Sequence, residues 1–292
     1  GARPVGRAAG DYVDQPSSST ILGAAKLTGR LPSGTLIGVL AGVTGEENAN
    51  TFDVIPNVFD ETRVAPRTTY GVARVQQEFG SDGSSAGLMV TGVHRDVATG
   101  DPLAALLVRN ALTVNGNTFL RLGGATHEVS ISGGLTHVDG DSEAITRLQR
   151  SSSRYFQRPD ASHVRLDPTR TQMLGAKATI RAERISGEHW LWNVNADLES
   201  PEGEFNDVGR LVSGDGLALR PSLTYRESTP GRWFRSSRLS LNQAYEWNFA
   251  YERQQTMLTP SASVADGLAP AASSAITASW RPYATPCRSA AS

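Results

Sequence analysis

"EHWLWNVNADLES", residues 188–200, separates into two lists when taken every second residue. Trp190, Trp192, Val194, Ala196 and Leu198 form one; Leu191, Asn193, Asn195, Asp197 and Glu199 form the other. Successive side chains of a β-strand point to opposite faces, so a strand here carries an apolar face backed by a polar one. Two tryptophans on one side need an apolar or interfacial neighbour. The asparagines and carboxylates on the other need water or partners.

The same period of two recurs along the chain. It is clearest at 174–183, 217–226 and 238–251, and weaker at 21–30, 36–44, 70–79, 86–94, 112–122, 127–136 and 275–281. These segments predict about eleven or twelve strands, many near the roughly 9–11 residues that a tilted strand needs to cross a bilayer. The connections alternate in length. Tight Gly/Ser/Pro/Asp turns, "LPSG" (31–34), "GSDGS" (80–84), "GGAT" (123–126), "ISGE" (185–188) and "STPGR" (228–232), alternate with longer connections at 45–66, 95–109, 138–170 and 201–210. In a meander, odd and even connections emerge at opposite ends. The pattern therefore predicts short turns on one side and long loops on the other, the layout of outer-membrane barrels.

Composition removes several classes. Lysine plus arginine number 28 against 29 acidic residues, which offers no basic field for a nucleic acid. Cys287 is the one cysteine, so neither an internal disulfide framework nor a Cys-rich metal site is available. No run of apolar residues approaches a membrane helix. The opening "GARPVGRAAGDYVDQPSSST" and the closing "PCRSAAS" read as the ends of a piece of something longer. The aromatics Trp190, Trp192, Tyr225, Trp233, Tyr245, Trp247 and Tyr251 fall near strand ends or on the apolar face, where an interfacial girdle would place them.

"STILGAAKLTGRLPSGTLIGVLAGVT" (19–44), "TTYGVARVQQEFG" (68–80), "AITRLQRSSSRYFQRPDASHVRLDPTRT" (144–171) and "HWLWNVNADLESPEGEFNDVGRL" (189–211) resemble the C-terminal barrel domain of a bacterial outer-membrane family of unknown function. In that family the barrel follows a periplasmic module similar to a family-nine carbohydrate-binding domain. "RLQRSSSRYFQRPD" and "EFNDVGRL" carry the resemblance most specifically. It runs from Val5 to Phe249 and weakens after Ala250, where the terminal strand with a final aromatic is not found. The resemblance implies an outer-membrane location and brings no catalytic residues.

The residues themselves offer little chemistry. His94, His127, His137, His163 and His189 are scattered without a tight metal spacing. A hydrolase around Ser151, His163 and Asp160 lacks a G-x-S-x-G elbow. "DGDSE" (139–143) starts like a calcium loop without the rest of the pattern, and reads more simply as a turn before a short helix "SEAITRLQR" capped by Ser142. The 138–170 loop is the informative segment, with Arg147, Arg150, Arg154, Arg158, Arg165 and Arg170 beside Tyr155 and Phe156. Arginine forks bind phosphate and carboxylate, and aromatic rings stack on sugars. The candidate ligand-binding residues are Arg150, Arg154, Tyr155, Phe156, Arg158 and Asp160, with a glycan or lipopolysaccharide as the ligand. The competing reading is that the loop folds into the barrel mouth and pairs its arginines with wall acids such as Glu183, Asp197 and Glu199.

The sequence thus predicts an all-β protein: an antiparallel up-and-down transmembrane β-barrel, as a fragment. An N-terminal extension or linker spans 1–18, the barrel 19–283 and a tail 284–292. The expected function is a channel, transporter or surface-anchored glycan-handling component in outer-membrane lipid, with no cofactor, metal, catalytic residue or nucleic-acid partner. The rival is a secreted soluble β-barrel or sandwich that binds carbohydrate; a barrel hydrolase comes third.

Overall fold

The structure, a computed structural model, describes residues 3–98, 100–159, 161–204, 214–231, 234–266 and 273–277. Its strands are β1 (Tyr12–Asp14), β2 (Ile21–Arg30), β3 (Thr35–Thr44), β4 (Glu47–Asp53), β5 (Val58–Ala65), β6 (Thr68–Phe79), β7 (Ser84–Arg95), β8 (Asn110–Leu122) and β9 (His127–Asp139). Helix α1 (Ser142–Arg150) follows, then β10 (Gln172–Arg184), β11 (Trp190–Glu199), β12 (Gly216–Glu227), β13 (Phe234–Trp247), β14 (Arg253–Asp266) and β15 (Ser273–Thr277). Twelve strands form one antiparallel sheet in the order β15-β14-β13-β12-β11-β10-β9-β8-β7-β6-β3-β2, and β1, β4 and β5 form a second, three-stranded sheet. The all-β, antiparallel meander stands. Closure does not follow from it: β2 and β15 are the two edges, and among the described residues no ladder joins them.

Register shows why each strand alternates as it does. Trp192, Val194, Ala196 and Leu198 of β11 lie opposite Leu223, Pro221, Leu219 and Leu217 of β12, and opposite Arg184, Ala182, Ile180 and Ala178 of β10. The apolar series is continuous over this outer face, and it is uncovered: Leu27 is 68 % exposed, Leu135 58 % and Leu174 63 %. Pro221 has no N–H to donate, and the β12–β13 ladder has a gap there, between Leu219↔Tyr245 and Ser222↔Asn242.

The inner face grades along the strands. One row across β6 to β10 reads Tyr70, Val93, Ala111, Val138, Met173; the next reads Val72, Thr91, Thr113, Thr136, Gly175. Then come Arg74, Met89, Asn115, Gly134, Lys177, and then Gln76, Gly87, Asn117, Ser132, Thr179. The first row is covered by α1 and its loop, so the conventional core sits at one end of the sheet. Val93, Val108, Ala111, Val138, Ile145, Phe156, Ala161, Val164 and Met173 form it.

Strand parity puts the tight turns near Ser33, Gly83, Gly124, Gly187 and Pro230 at one end of the sheet. In the third of these turns, Gly123 and Gly124 take positive φ, which a tight hairpin needs and which glycine adopts without strain. The described parts of the connections 45–67, 96–109, 140–171 and 200–215 gather at the other end. Asp160 and Asn206 lie outside the described residues, as does the 284–292 tail.

Four expectations need correction. The 45–66 connection contains the β4–β5 hairpin, whose few apolar residues, among them Ala49, Phe52, Phe59 and Val64, are scattered among polar ones and gave no clear period. Residues 12–14 of the expected linker form β1 against β4, and Gly6 donates to Val64 O at 2.9 Å. The chain does not fade after Ala250: β14 pairs with β13 along nearly its whole length, but Ser and Thr on both faces mask its period. The 248–252 connection is therefore a tight turn, not a continuation of the 238–251 strand. Helix α1 begins at Ser142 with Asp141 at the N-cap, and no side chain caps it.

Candidate functional site: the capped end of the polar face

Helix α1 is amphipathic. Ala144, Ile145 and Gln149 are buried, with Ile145 at 0 % exposure, while Arg147 and Arg150 occupy the last turn, where a cation complements the helix dipole. The chain then reverses through Ser151–Phe156. Tyr155 sits at φ 49, its N–H donates to Ser151 O at 2.8 Å, and the Phe156 N–H donates to Gln149 O at 3.0 Å. The reversal turns Tyr155 outward and Phe156 into the core. Gln149 holds the returning chain with two bonds, donating through Nε2 to Asp167 O and accepting from the Asp167 N–H, both at 2.8 Å. At the exposed edge of the loop the Thr169 hydroxyl and backbone N–H donate to the Asp167 carboxylate and hold its pKa below the ordinary value.

Two ion pairs join this loop to the β11–β12 connection. Arg154, 2 % exposed, donates to Glu204 Oε2 at 2.5 Å, to Gly203 O at 2.6 Å and to Ser151 Oγ at 3.1 Å. Glu204 in turn accepts through its backbone carbonyl from Thr136 Oγ1 on β9 at 2.5 Å. Arg158 pairs with Asp215, which also bonds His163 Nε2 at 2.8 Å and accepts from the Phe249 N–H at 3.0 Å. The seat for the second connection is Gly175: a Cβ there would lie 2.2 Å from Gly203 Cα, so a larger residue on β10 would push the segment off the wall.

Beneath this cap lies a cavity of about 590 Å³ lined by Arg158, Lys177, Thr179, Asp197, Glu199, Asp215, Arg220 and Glu246 among others. Arg220 spans two strands, donating to Asp197 Oδ2 at 2.7 Å and to Glu246 Oε1 at 2.6 Å. Asp197 also accepts from Thr179 Oγ1 at 2.8 Å and from Asn195 Nδ2 at 2.5 Å.

The six residues picked from sequence are divided by this geometry. Arg154 and Phe156 are interior groups of the cap. Arg158 stands at the cavity wall, paired. Tyr155 and Arg150 face outward on the far side, Arg150 along an open groove of about 600 Å³ with Glu143, Thr146, Arg147, Ser151 and Pro168. Asp160 is outside the described residues. The loop does fold onto the sheet, but the acids that take its arginines are Glu204 and Asp215, with Glu202 3.8 Å from Arg170. The wall acids Glu183 and Asp197 pair instead with Arg181 and Arg220. Glu204 opens the "EFNDVGRL" stretch of the resemblance, but neither it nor Asp215 lies in a periodic run, so nothing marked them as partners of the loop arginines. Ser151 Oγ donates to Leu148 O at 2.7 Å and His163 bonds Asp215, so these two members of the imagined hydrolase are engaged apart. Asp139 accepts from Asn110, Asp141 lies 3.7 Å from Arg109, and no group of three or more His, Cys, Asp or Glu side chains converges among the described residues.

A family profile described as a domain of unknown function, DUF5916, matches residues 3–266. The chain belongs to the DUF5916 family. The match takes in β14, and so reaches beyond the Phe249 limit set from the sequence motifs. No curated protein and no solved structure matches the chain. For this DUF5916 domain the site therefore stands on its own geometry.

Proposed function

We propose that the chain is the wall of a β-barrel in the bacterial outer membrane, with the polar face lining a passage and the cap restricting its mouth. The observation that carries this reading is the outer face. Large apolar side chains stand exposed on strand after strand, from Leu27 on β2 to Leu239 on β13, far beyond the patch that a soluble protein leaves uncovered. Trp190 packs edge-on against Tyr225, with ring centroids 5.0 Å apart, at the short-turn end. Tyr245 stacks on Trp247 at 5.9 Å toward the capped end. By register the two levels lie eight residues apart, about 26 Å along the strand at ~3.3 Å per residue and about 20 Å in height once tilted, close to the apolar band of a membrane barrel. No helix among the described residues is long and apolar enough to span a membrane.

The rival carbohydrate-binding reading would use an outer-face groove of about 450 Å³ flanked by Trp190 and Tyr225. That groove is walled by Leu223, Leu239, Leu241, Pro260 and Ala262 and is almost wholly carbon, so it suits an acyl chain better than a sugar. At the capped end, Arg147, Arg150 and Tyr155 face outward, a fit for the phosphates and sugars of lipopolysaccharide.

Single cysteines carrying a fluorophore, reconstituted in vesicles with a lipid-soluble quencher, test the reading. Positions 194, 223 and 241 should be quenched, and 177, 193 and 220 protected. The reverse pattern, or protein that stays monodisperse without detergent, would sink it.

A further inference from the structure

We infer that the inner face carries an anion site between β6 and β10, below the cap, built to take a phosphate-type oxyanion of a water-soluble solute. The argument starts from register. Two adjacent rows, Arg74-Met89-Asn115-Gly134-Lys177 and Gln76-Gly87-Asn117-Ser132-Thr179, run straight across five strands. The backbones of β6 and β10 are four strand spacings apart, about 19 Å at ~4.8 Å each. Yet Arg74 and Lys177 line a single cavity of about 200 Å³, together with Met89, Asn115, Asn117, Ser132 and Thr179. The two cations lean in from either side over a low floor.

Glycine makes the floor low. A Cβ at Gly134 would lie 2.1 Å from Asn115 Oδ1, and one at Gly87 would lie 2.9 Å from Asn117 Oδ1. The amide oxygens occupy the volume over the glycines, which leaves the NH2 ends as the groups able to donate into the cavity. Neither amide has a hydrogen-bond partner among the described residues. The lining therefore holds a guanidinium, which also donates to Gln76 Oε1 at 2.7 Å, the Lys177 ammonium, two amides and the Ser132 hydroxyl, with the Thr179 hydroxyl turned to Asp197, and no carboxylate. That donor set matches an oxyanion with three or four acceptor oxygens.

The acids that face the site come from β11. Glu199 lies opposite Lys177, and Asp197 lies opposite Thr179. Asp197 is already held by Thr179, Asn195 and Arg220. Glu199 competes with a bound anion for Lys177, so its charge sets an upper bound on affinity. Lys177 and Thr179 also line the larger cavity under the cap, which makes the site a station next to that space. It stands on the polar face alone, so it does not depend on what covers the apolar one.

The test is calorimetric titration of the full chain in non-ionic detergent with inorganic phosphate. One saturable site is expected. Arg74→Gln and Lys177→Gln should each weaken it roughly tenfold or more, the loss of one charged hydrogen bond, and Asn115→Ala should weaken it less. Glu199→Gln should tighten it, a change that a structural role for Glu199 does not produce. Arg121→Gln, a cation on the same face that pairs with Glu128 at 3.0 Å, should leave it unchanged. Solubilised phosphatidic acid should not displace the phosphate. Absence of saturable binding, equal loss with Arg121→Gln, unchanged affinity in the Arg74 and Lys177 variants, or displacement by the lipid would each overturn the assignment. A failed quenching experiment with intact phosphate binding would remove the membrane reading and leave this site.

Discussion

Val138 and Leu135 lie three residues apart on β9 and differ completely in exposure. Val138 is 0 % exposed beneath Ile145 and Phe156, whereas Leu135 is 58 % exposed on the opposite face. The capped end of the sheet is an ordinary protein interior, with apolar side chains enclosed and buried charge paired. The body inverts that arrangement: its polar side chains face a cavity, and its leucines and tryptophans stand on an uncovered face. Two regions cut from the same strands thus rest on different forces. The cap holds itself together. On the proposed reading, an apolar medium covers the outer face of the body, where apolar side chains stand exposed.

Charge is the sharpest way to separate the two regions. Arg154 and Glu204 have side chains 1 % and 3 % exposed, so removing the guanidinium from beside that carboxylate should cost about 3–5 kcal/mol. Arg220 makes bonds of similar length to Asp197 and Glu246, but its side chain is 44 % exposed, and Arg220→Ala should cost about 0–1 kcal/mol. Urea unfolding of both variants in the same detergent measures the difference. Equal losses would mean that cap and body share one kind of interior, and the comparison would fail.

Apolar contacts should divide by medium as the charges divide by burial. Leu219 lies on the outer face of β12, level with Ala196 and Tyr245. In a bilayer, Leu219→Arg should cost about 2–4 kcal/mol, as for a cation at the midplane of a barrel wall. Folding into vesicles, followed by the gel shift between folded and unfolded forms, reads this directly. A variant that inserts as well as the parent would place residue 219 away from lipid and leave the exposed outer face without a solvent.

How much of this was legible depended on contrast between neighbouring side chains. The β11 strand announced itself because Trp, Val, Ala and Leu alternate with Asn, Asp and Glu, and its register with β10 and β12 keeps those lists apart. The strand β14 did not, because Thr256, Pro260 and Ala262 on one face differ little from Thr259, Ser261 and Ser263 on the other. The cap was legible as a segment and illegible as a site. Arg154 and Arg158 look alike in sequence, yet their burial is fixed by Glu204 and Asp215, about fifty residues away in chain that has no period to read. Asn115 and Asn117 were likewise unremarkable until register set them over Gly134 and Gly87. Such contacts depend on pairing across strands, which alternation within one strand does not encode.

The smallest expected effect lies at the rim of the cap, where interior and solvent meet. Asp167 reaches inward with its backbone, clamped by the buried Gln149, and outward with its carboxylate, which accepts from the Thr169 hydroxyl at 2.7 Å and the Thr169 N–H at 2.9 Å. These bonds favour the charged form, and the side-chain bond is the larger cause of the depressed pKa. A group whose folded pKa is lowered adds stability above its unfolded pKa, and that contribution disappears as pH falls through the folded value. Thr169→Val should therefore raise the Asp167 pKa toward the ordinary aspartate range and shift the loss of loop order to higher pH, with no change at neutral pH in the burial of Phe156. Carbon-detected NMR titration of the Asp167 carboxyl measures the first effect, and amide exchange at Phe156 the second. An unchanged Asp167 pKa would show that the turn hydrogen bonds do not hold the carboxylate. Faster exchange at Phe156 at neutral pH would show that the rim is part of the interior, and the boundary between cap and solvent would have to move outward past residue 169.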